Sequence, residues 1–496
     1  MNTPTWSHRT SLVAGLLTIF VAASLPSPAT AQQPAAAQPA ARPNVLFIMA
    51  DDLRAELGTA DYPARTPNLD RLAARGVTFQ RAYCQQALCN PSRASLLTGL
   101  RPDTLGLWNN GTHFRELKPE VVTLPEAFKN AGYATRDVGK IFHNNHTKAH
   151  GDRQSWSAPE FLYYAKHDDD KPKLIGELPM DVAKAPKCER REVADAAYYD
   201  GQVADEAIRV LAEVQDRPFF LAVGFWKPHA PFNAPTKYWG MYDRDLLPKI
   251  DPTWPKASPG IAAHDSREIL GIEPNRLSLT PAQIAEMRHG YFANVSYMDA
   301  QVGKLIAALD ASPAARNTIV VFVSDHGYHI GEHGLWGKTS CFELDARVPL
   351  IISTPGTDTA GIRTTSLVEL VDLYPTLAAL CGITPPASLD GVSLVPLLAR
   401  DPAGALKNGA FTQHPRPAYY DRTAKGVPEA MGYSVRMERA RYTEWREWPS
   451  GKVIARELYD HEKDVAELNN VIDDPARQGL ADEGSKLITK QFPLKP

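Results

Sequence analysis

Three continuous apolar runs constrain this chain more than any other feature. They are Asn44-Val45-Leu46-Phe47-Ile48-Met49-Ala50, Pro218-Phe219-Phe220-Leu221-Ala222-Val223-Gly224-Phe225 and Thr318-Ile319-Val320-Val321-Phe322-Val323. A strand with one face in water alternates apolar and polar residues; a strand covered on both faces does not. Such runs therefore predict strands of a parallel sheet buried between helices. Helical patterns lie between them, at Tyr198 to Glu213 and Pro281 to Leu309. Thr66-Pro67-Asn68-Leu69-Asp70 opens another helix ending near Gly76, with Thr66 as its cap and Pro67 in its first turn. Strands and helices in alternation indicate an α/β fold with a mainly parallel sheet flanked by helices. After Asp401 the pattern changes: short runs such as Ala440 to Trp445 and Glu457 to Asp460, separated by turn residues, predict a small antiparallel sheet. The expected division is a main domain over 44–404 and a smaller α+β subdomain over 405–496.

Each apolar run delivers chemistry at its carboxyl end, where open α/β sheets collect their ligands. The first is followed by Asp51-Asp52, the second by Lys227-Pro228-His229, the third by Asp325-His326. Asp51-Asp52 alone would read as a turn or helix cap. With Asp325 and His326 the carboxylates would repel one another unless a cation intervened. An oxygen-rich, multi-carboxylate donor set favours calcium over magnesium, and no His/Cys spacing suggests zinc. A basic group accompanies it: Lys140 and His143 in Val138-Gly139-Lys140-Ile141-Phe142-His143, and Lys338 in Leu335-Trp336-Gly337-Lys338. Cys89-Asn90-Pro91-Ser92-Arg93 reads as a cysteine presented at a helix start, where unpaired N–H groups favour anions, with Arg93 adding planar donors.

The N-terminal stretch 1–31 has a secretory pattern: Arg9, an apolar run from Leu12 to Ala23, and the small-residue site Ala29-Thr30-Ala31. The apolar run is short for a membrane span and no later stretch reaches that length, so the expected mature protein is exported without stable membrane insertion. Residues 32–43 form an Ala/Gln/Pro-rich linker expected to be disordered. A formal net charge of −3 offers no basic field for nucleic acid. The cysteines Cys84, Cys89, Cys188, Cys341 and Cys381 are scattered, form no zinc pattern, and leave any disulfide pairing open. The stretch from Lys148 to Arg191, with His167-Asp168-Asp169-Asp170, reads as a solvated loop; Tyr242 to Leu279 is irregular, a kind of excursion that often shapes a pocket.

The pattern Cys89-x-Pro91-Ser92-Arg93 through Thr98-Gly99 resembles the signature of type I sulfatases, whose cysteine is oxidised to formylglycine. The extended match from Gln85 to Thr104 is most similar to the iduronate-2-sulfatase branch, as are Val138 to His143, Lys227 to Phe232, Asp325 to Tyr328, Gly331 to Trp336, Val348 to Leu350, Met431 to Tyr433 and Glu457 to Tyr459. The resemblance implies an alkaline-phosphatase-like fold. It also implies one calcium ion bound by Asp51, Asp52, Asp325, His326 and the converted Cys89, with Arg93 and Lys140 steadying formylglycine and sulfate. Many sulfatases carry Asn where His326 stands; His is the variant of this branch. In that scheme His229, helped by Lys338, protonates the departing oxygen, and His143 takes the proton whose loss releases sulfate. Implied partners are a sulfated carbohydrate, with iduronate-2-sulfate in the lead and algal polysaccharides as the alternative, and a formylglycine-generating maturation enzyme. The rival readings are a phosphate mono- or diester hydrolase of the same fold, and an inactive carbohydrate-binding relative.

Overall fold

The computed structural model describes residues 42–58, 62, 64–143, 151–161, 188–264, 266, 268–269, 279–399 and 404–493. The secretory stretch, nearly all of the linker, and the His167–Asp170 loop lie outside the described residues.

The three apolar runs are strands: β1 (Asn44–Asp51), β4 (Phe219–Pro228) and β5 (Thr318–Ser324). The sheet also contains β2 (Val77–Tyr83), β3 (Ala134–Gly139), β6 (Arg347–Ser353) and β7 (Ile362–Glu369). Their order is β7-β2-β6-β5-β1-β4-β3. β1 pairs in parallel with both β4 and β5, and β6 runs antiparallel to β2 and β5.

The absence of alternation in β1 has the expected cause. Leu46, Ile48 and Ala50 enter one hydrophobic cluster and Val45, Phe47 and Met49 the opposite one, all fully buried. Burying each large side chain contributes about 1.5–3 kcal/mol. One cluster is closed by helices α3 (Tyr199–Val214) and α4 (Pro281–Asp310). The other is closed partly by α2 (Cys89–Thr98). The short helix α1 (Pro67–Ala73) forms as expected, but Thr66 does not cap its backbone. Its hydroxyl instead donates to the Asp70 carboxylate at 3.1 Å and accepts from the Gly58 amide at 3.1 Å.

The C-terminal antiparallel sheet has the order β8 (Ala410–Arg416), β9 (Ala430–Arg436), β10 (Ala440–Glu447), β11 (Val453–Asp460). Helix α5 (Gln478–Gln491) packs on it through Ala481 and Ile488. All five cysteines are free thiols.

Candidate active site

The site is assembled where β1, β3, β4 and β5 end. β1 finishes at Asp51, and Asp52 turns the chain with φ 63°, a left-handed conformation that strains a non-glycine residue. Neighbours hold it there: the Asp52 amide donates to Asp325 Oδ1 at 3.2 Å, and its carbonyl accepts from Tyr291 Oη at 2.8 Å. Asp325 and His326 follow β5 directly. Leu88 is extended, and helix α2 starts at Cys89. The Cys89 sulfur lies 3.6 Å from Asp51 Oδ1 and 3.4 Å from His326 Nε2.

One donor atom each from Asp51, Asp52, Cys89 and His326 fall within 4.8 Å of one another. Asp325 stands at the edge of this group, its Oδ2 at 3.6 Å from His326 Nε2 and at 2.8 Å from Arg93 Nε. His326 Nδ1 faces the Gly327 carbonyl at 2.9 Å and must donate to it. That fixes the ring and leaves Nε2 directed at the acids, the orientation of a metal ligand. None of these side chains is more than 1% exposed.

Cations surround the acids. Arg93, one turn into α2, lies 3.3 Å from Asp51 and donates to the carbonyls of Lys140 and Ile141, the latter at 3.1 Å. Lys140, just past β3, binds Asp51 Oδ2 and sits 4.7 Å from the centroid of the Trp226 ring. Its place depends on Gly224: a Cβ there would lie 1.9 Å from the Lys140 carbonyl oxygen, so only glycine lets the ends of β3 and β4 meet so closely. His143 is buried three residues further on. Lys338 Nζ donates to Asp52 Oδ1 and Oδ2 at 2.8 and 2.9 Å.

His229 is presented by the turn after β4. Lys227 Nζ folds back onto the Pro231 carbonyl at 2.9 Å, and the Asp200 carboxylate on α3 accepts from the amides of Trp226 and Lys227 at 2.8 and 3.0 Å. His229 Nδ1 donates to the Ala230 carbonyl at 2.6 Å, and its Nε2 lies 3.7 Å from Asp52 Oδ2. The structure thus brings together Cys89, Arg93, Lys140, His229, Lys338, Asp51, Asp52, Asp325 and His326, with His143 buried beyond Lys140.

Sequence reasoning missed Glu268. Its Oε1 lies 2.7 Å from His229 Nε2 and 3.2 Å from Lys338 Nζ, and its Oε2 accepts from Tyr328 Oη at 3.0 Å. It belongs to the irregular stretch after Tyr242, expected to shape a pocket, yet no local pattern marks that one carboxylate.

The charges do not balance locally. Burial pushes the Asp52 carboxyl up to about 7 against the pull of His229 and Lys338, and pushes Asp325 up to about 6 against Arg93. Asp51 overcomes burial through Lys140 and Arg93 and stays well below the usual carboxylate range. The Cys89 thiol, despite burial and Asp51, is held well below its usual range by Lys140, Lys338 and His326. Burial works against a charged His229, but Asp52 and Glu268 push it up to about 10. A group of carboxylates too crowded for its own cations, with the His326 Nε2 aimed into it, fits a hard divalent ion.

The geometry can bind an oxyanion between cations beside an activated residue 89. The comparisons agree with that chemistry. The family model described as "Sulfatase" matches residues 43–383. This chain belongs to the sulfatase family. A second model, the C-terminal region of N-sulphoglucosamine sulphohydrolase, matches residues 331–491 of the sulfatase. The iduronate 2-sulfatase of Mus musculus is 35% identical over 88% of this chain and 92% of its own. A solved phosphonate monoester hydrolase from Agrobacterium radiobacter superposes with TM-score 0.74 at 26% identity, covering 91% of this chain and 95% of that one. A protein solved with its substrate D-glucosamine-2-N,6-O-disulfate superposes with TM-score 0.71 at 21% identity over 91% of this chain and 97% of that one, a likeness of fold. The chain is therefore a sulfuric ester hydrolase built on the alkaline-phosphatase-like fold.

Proposed function

We propose that this sulfatase is an exported enzyme that removes a sulfate ester from a sugar, iduronate-2-sulfate or a related sulfated saccharide, using formylglycine at position 89 and one calcium ion. The observation that carries the reading is the Cys89 sulfur at the start of α2, 3.4 Å from His326 and 3.6 Å from Asp51, in a ring of buried cations. The likeness to iduronate 2-sulfatase over most of both chains supports the substrate class. Export rests on the N-terminal pattern of Arg9, the apolar run and Ala29-Thr30-Ala31.

Asp51, Asp52, Asp325, His326 and residue 89 would hold the calcium, which supplies positive charge against the sulfate oxygens. The hydrate of formylglycine would carry two hydroxyls on one carbon, one to attack sulfur and one whose loss of a proton lets the aldehyde reform and sulfate leave; a plain thiol or serine has no such exit. Arg93 and Lys140 fix residue 89 and Asp51 in place before substrate arrives, which is electrostatic preorganisation. His229, with Lys338 beside it, stands ready to protonate the departing oxygen. His143 would accept the proton whose loss releases sulfate.

The test is turnover of an aryl sulfate and an aryl phosphate with and without a chelator, alongside mass spectrometry of the peptide containing residue 89. We expect sulfate turnover abolished by EDTA and restored by calcium, a peptide 18 Da lighter than the cysteine form, and much weaker phosphate cleavage. Preferential phosphate or phosphonate cleavage with an unmodified Cys89 would favour the second reading, which the phosphonate monoester hydrolase likeness keeps open.

A further inference from the structure

Glu268 has no part in the chemistry outlined above, yet it touches both groups assigned to the departing oxygen. Its Oε1 is within hydrogen-bond distance of His229 Nε2 (2.7 Å) and Lys338 Nζ (3.2 Å). Its Oε2 is tied from the protein side by Tyr328 Oη at 3.0 Å. A carboxylate fixed at both oxygens does not swing freely, so its direction is part of the site. A carboxylate offers about four lone-pair sites, and these contacts occupy fewer. The side chain is 19% exposed while those of His229 and Lys338 are 2% and 3% exposed. Glu268 is therefore the member of this trio open to an incoming molecule.

We propose that Glu268 reads the ring carbon next to the sulfate ester, accepting a hydrogen bond from a free hydroxyl there and rejecting a second sulfate or a carboxylate. The inference rests on the sugar-sulfatase reading, because it places the departing oxygen at His229 and Lys338. In a sugar sulfate, the substituent nearest the departing oxygen is the one on the adjacent carbon. A carboxylate that already bonds to the groups holding that oxygen lies beside this substituent. A hydroxyl satisfies its remaining lone pair, a hydrogen leaves that lone pair without a partner, and an anion meets like charge. The substrate class is thus a sugar sulfate with an unsubstituted hydroxyl vicinal to the ester. Iduronate-2-sulfate meets that condition at C3, its carboxylate lying away from the ester carbon.

The experiment measures kcat/KM for the calcium-loaded, formylglycine-containing enzyme and its Glu268→Gln and Glu268→Ala variants. The substrates are an aryl sulfate and the 2-sulfates of methyl iduronoside and methyl glucoside. Each sugar carries a hydroxyl, a hydrogen or a second sulfate at C3. The expected wild-type preference for hydroxyl over hydrogen is about 10- to 100-fold, as for a hydrogen bond to a charged group. In Glu268→Ala that ratio should fall to near one and the disulfate should gain on the monosulfate, with Glu268→Gln in between. The ratio is taken within each variant, so a general loss of activity does not mimic it. A wild-type ratio near one, or a ratio preserved in Glu268→Ala while all substrates slow alike, overturns the proposal. Turnover of the aryl sulfate without turnover of any sugar also overturns it and leaves the sulfatase reading standing. No turnover of any sulfate by calcium-loaded, formylglycine-containing enzyme sinks both.

Discussion

Two buried charge networks in this protein look alike in composition and behave differently. Behind the C-terminal sheet, Arg441 donates to Glu467 at 2.8 Å and to Glu343 at 2.5 Å, and His461 reaches Glu467 at 2.9 Å. There the guanidinium, although burial opposes its charge, is held above its ordinary range by Glu467 and Glu343. Glu343, against its own burial, is held far below its range by Arg441 and His461. Around Cys89 the acids Asp52 and Asp325 are instead pushed upward, because burial outweighs the cations that reach them. The first network is complete in itself; the second leaves Asp52 and Asp325 short of positive charge. Crowded acids with a residual deficit of positive charge distinguish a binding site from a structural ion cluster of equal burial.

The largest test of that contrast is Cys89→Ala. Turnover of an aryl sulfate should fall by on the order of 10⁴-fold or more, as when a catalytic nucleophile is lost, while far-UV circular dichroism stays unchanged. Substantial residual kcat in the alanine protein would remove residue 89 from the chemistry. Arg441→Ala should do the reverse. Leaving Glu343 and Glu467 buried without their partner should cost about 3–5 kcal/mol of stability, read as a lower urea midpoint, with kcat of the remaining folded enzyme little altered. If the midpoint is unmoved, the C-terminal network is not the structural cluster described.

His229→Ala ranks third. Losing a proton donor should slow cleavage of a sugar sulfate by about 10²- to 10⁴-fold. An aryl sulfate, whose departing oxygen needs little protonation, should suffer less. Equal losses on the two substrates would argue that His229 only shapes the pocket.

The smallest effect is in acid. Burial would raise the Asp345 carboxyl, but His329, at 2.6 Å, and Ser340 hold it at about 2 against an ordinary 3.8. Because the unfolded chain takes up this proton first, the stabilisation is full above pH 3.8 and is lost as pH falls toward 2. The linkage is worth about 2 kcal/mol. In Asp345→Asn, the acid limb of the stability curve between those values should flatten. An unchanged limb would show that the His329 pair does not set acid stability.

The contrast also explains what the sequence made legible. β1, β4 and β5 could be read because burial on both faces forbids alternation, and the acids and imidazoles at their ends came with them. The motif around Cys89 gave α2 its chemical meaning. Arg441, Glu444 and Arg446 were harder: the run from Ala440 was legible as a strand, but nothing in it marks these charges as buried, and they are 1%, 2% and 5% exposed. Arg441 pairs with Glu343 and Glu467, which lie on segments far apart in sequence. Glu268 was illegible for the same reason, since its role comes from Tyr328, Lys338 and His229 converging on it. A lone glutamate in an irregular stretch gives no periodicity to read.

The concealment of the Cys89 thiol, 1% exposed at the foot of α2, puts the protein's history in a fixed sequence. An enzyme that must grip and oxidise this cysteine cannot reach it once α2 has docked against the sheet. On the proposed reading, conversion of Cys89 therefore has to precede closure of the fold, and a chain that escapes it is sealed in the thiol form. A purified batch would then be a blend of competent and dormant molecules with the same shape, and its specific activity would report the success of maturation as much as the speed of catalysis.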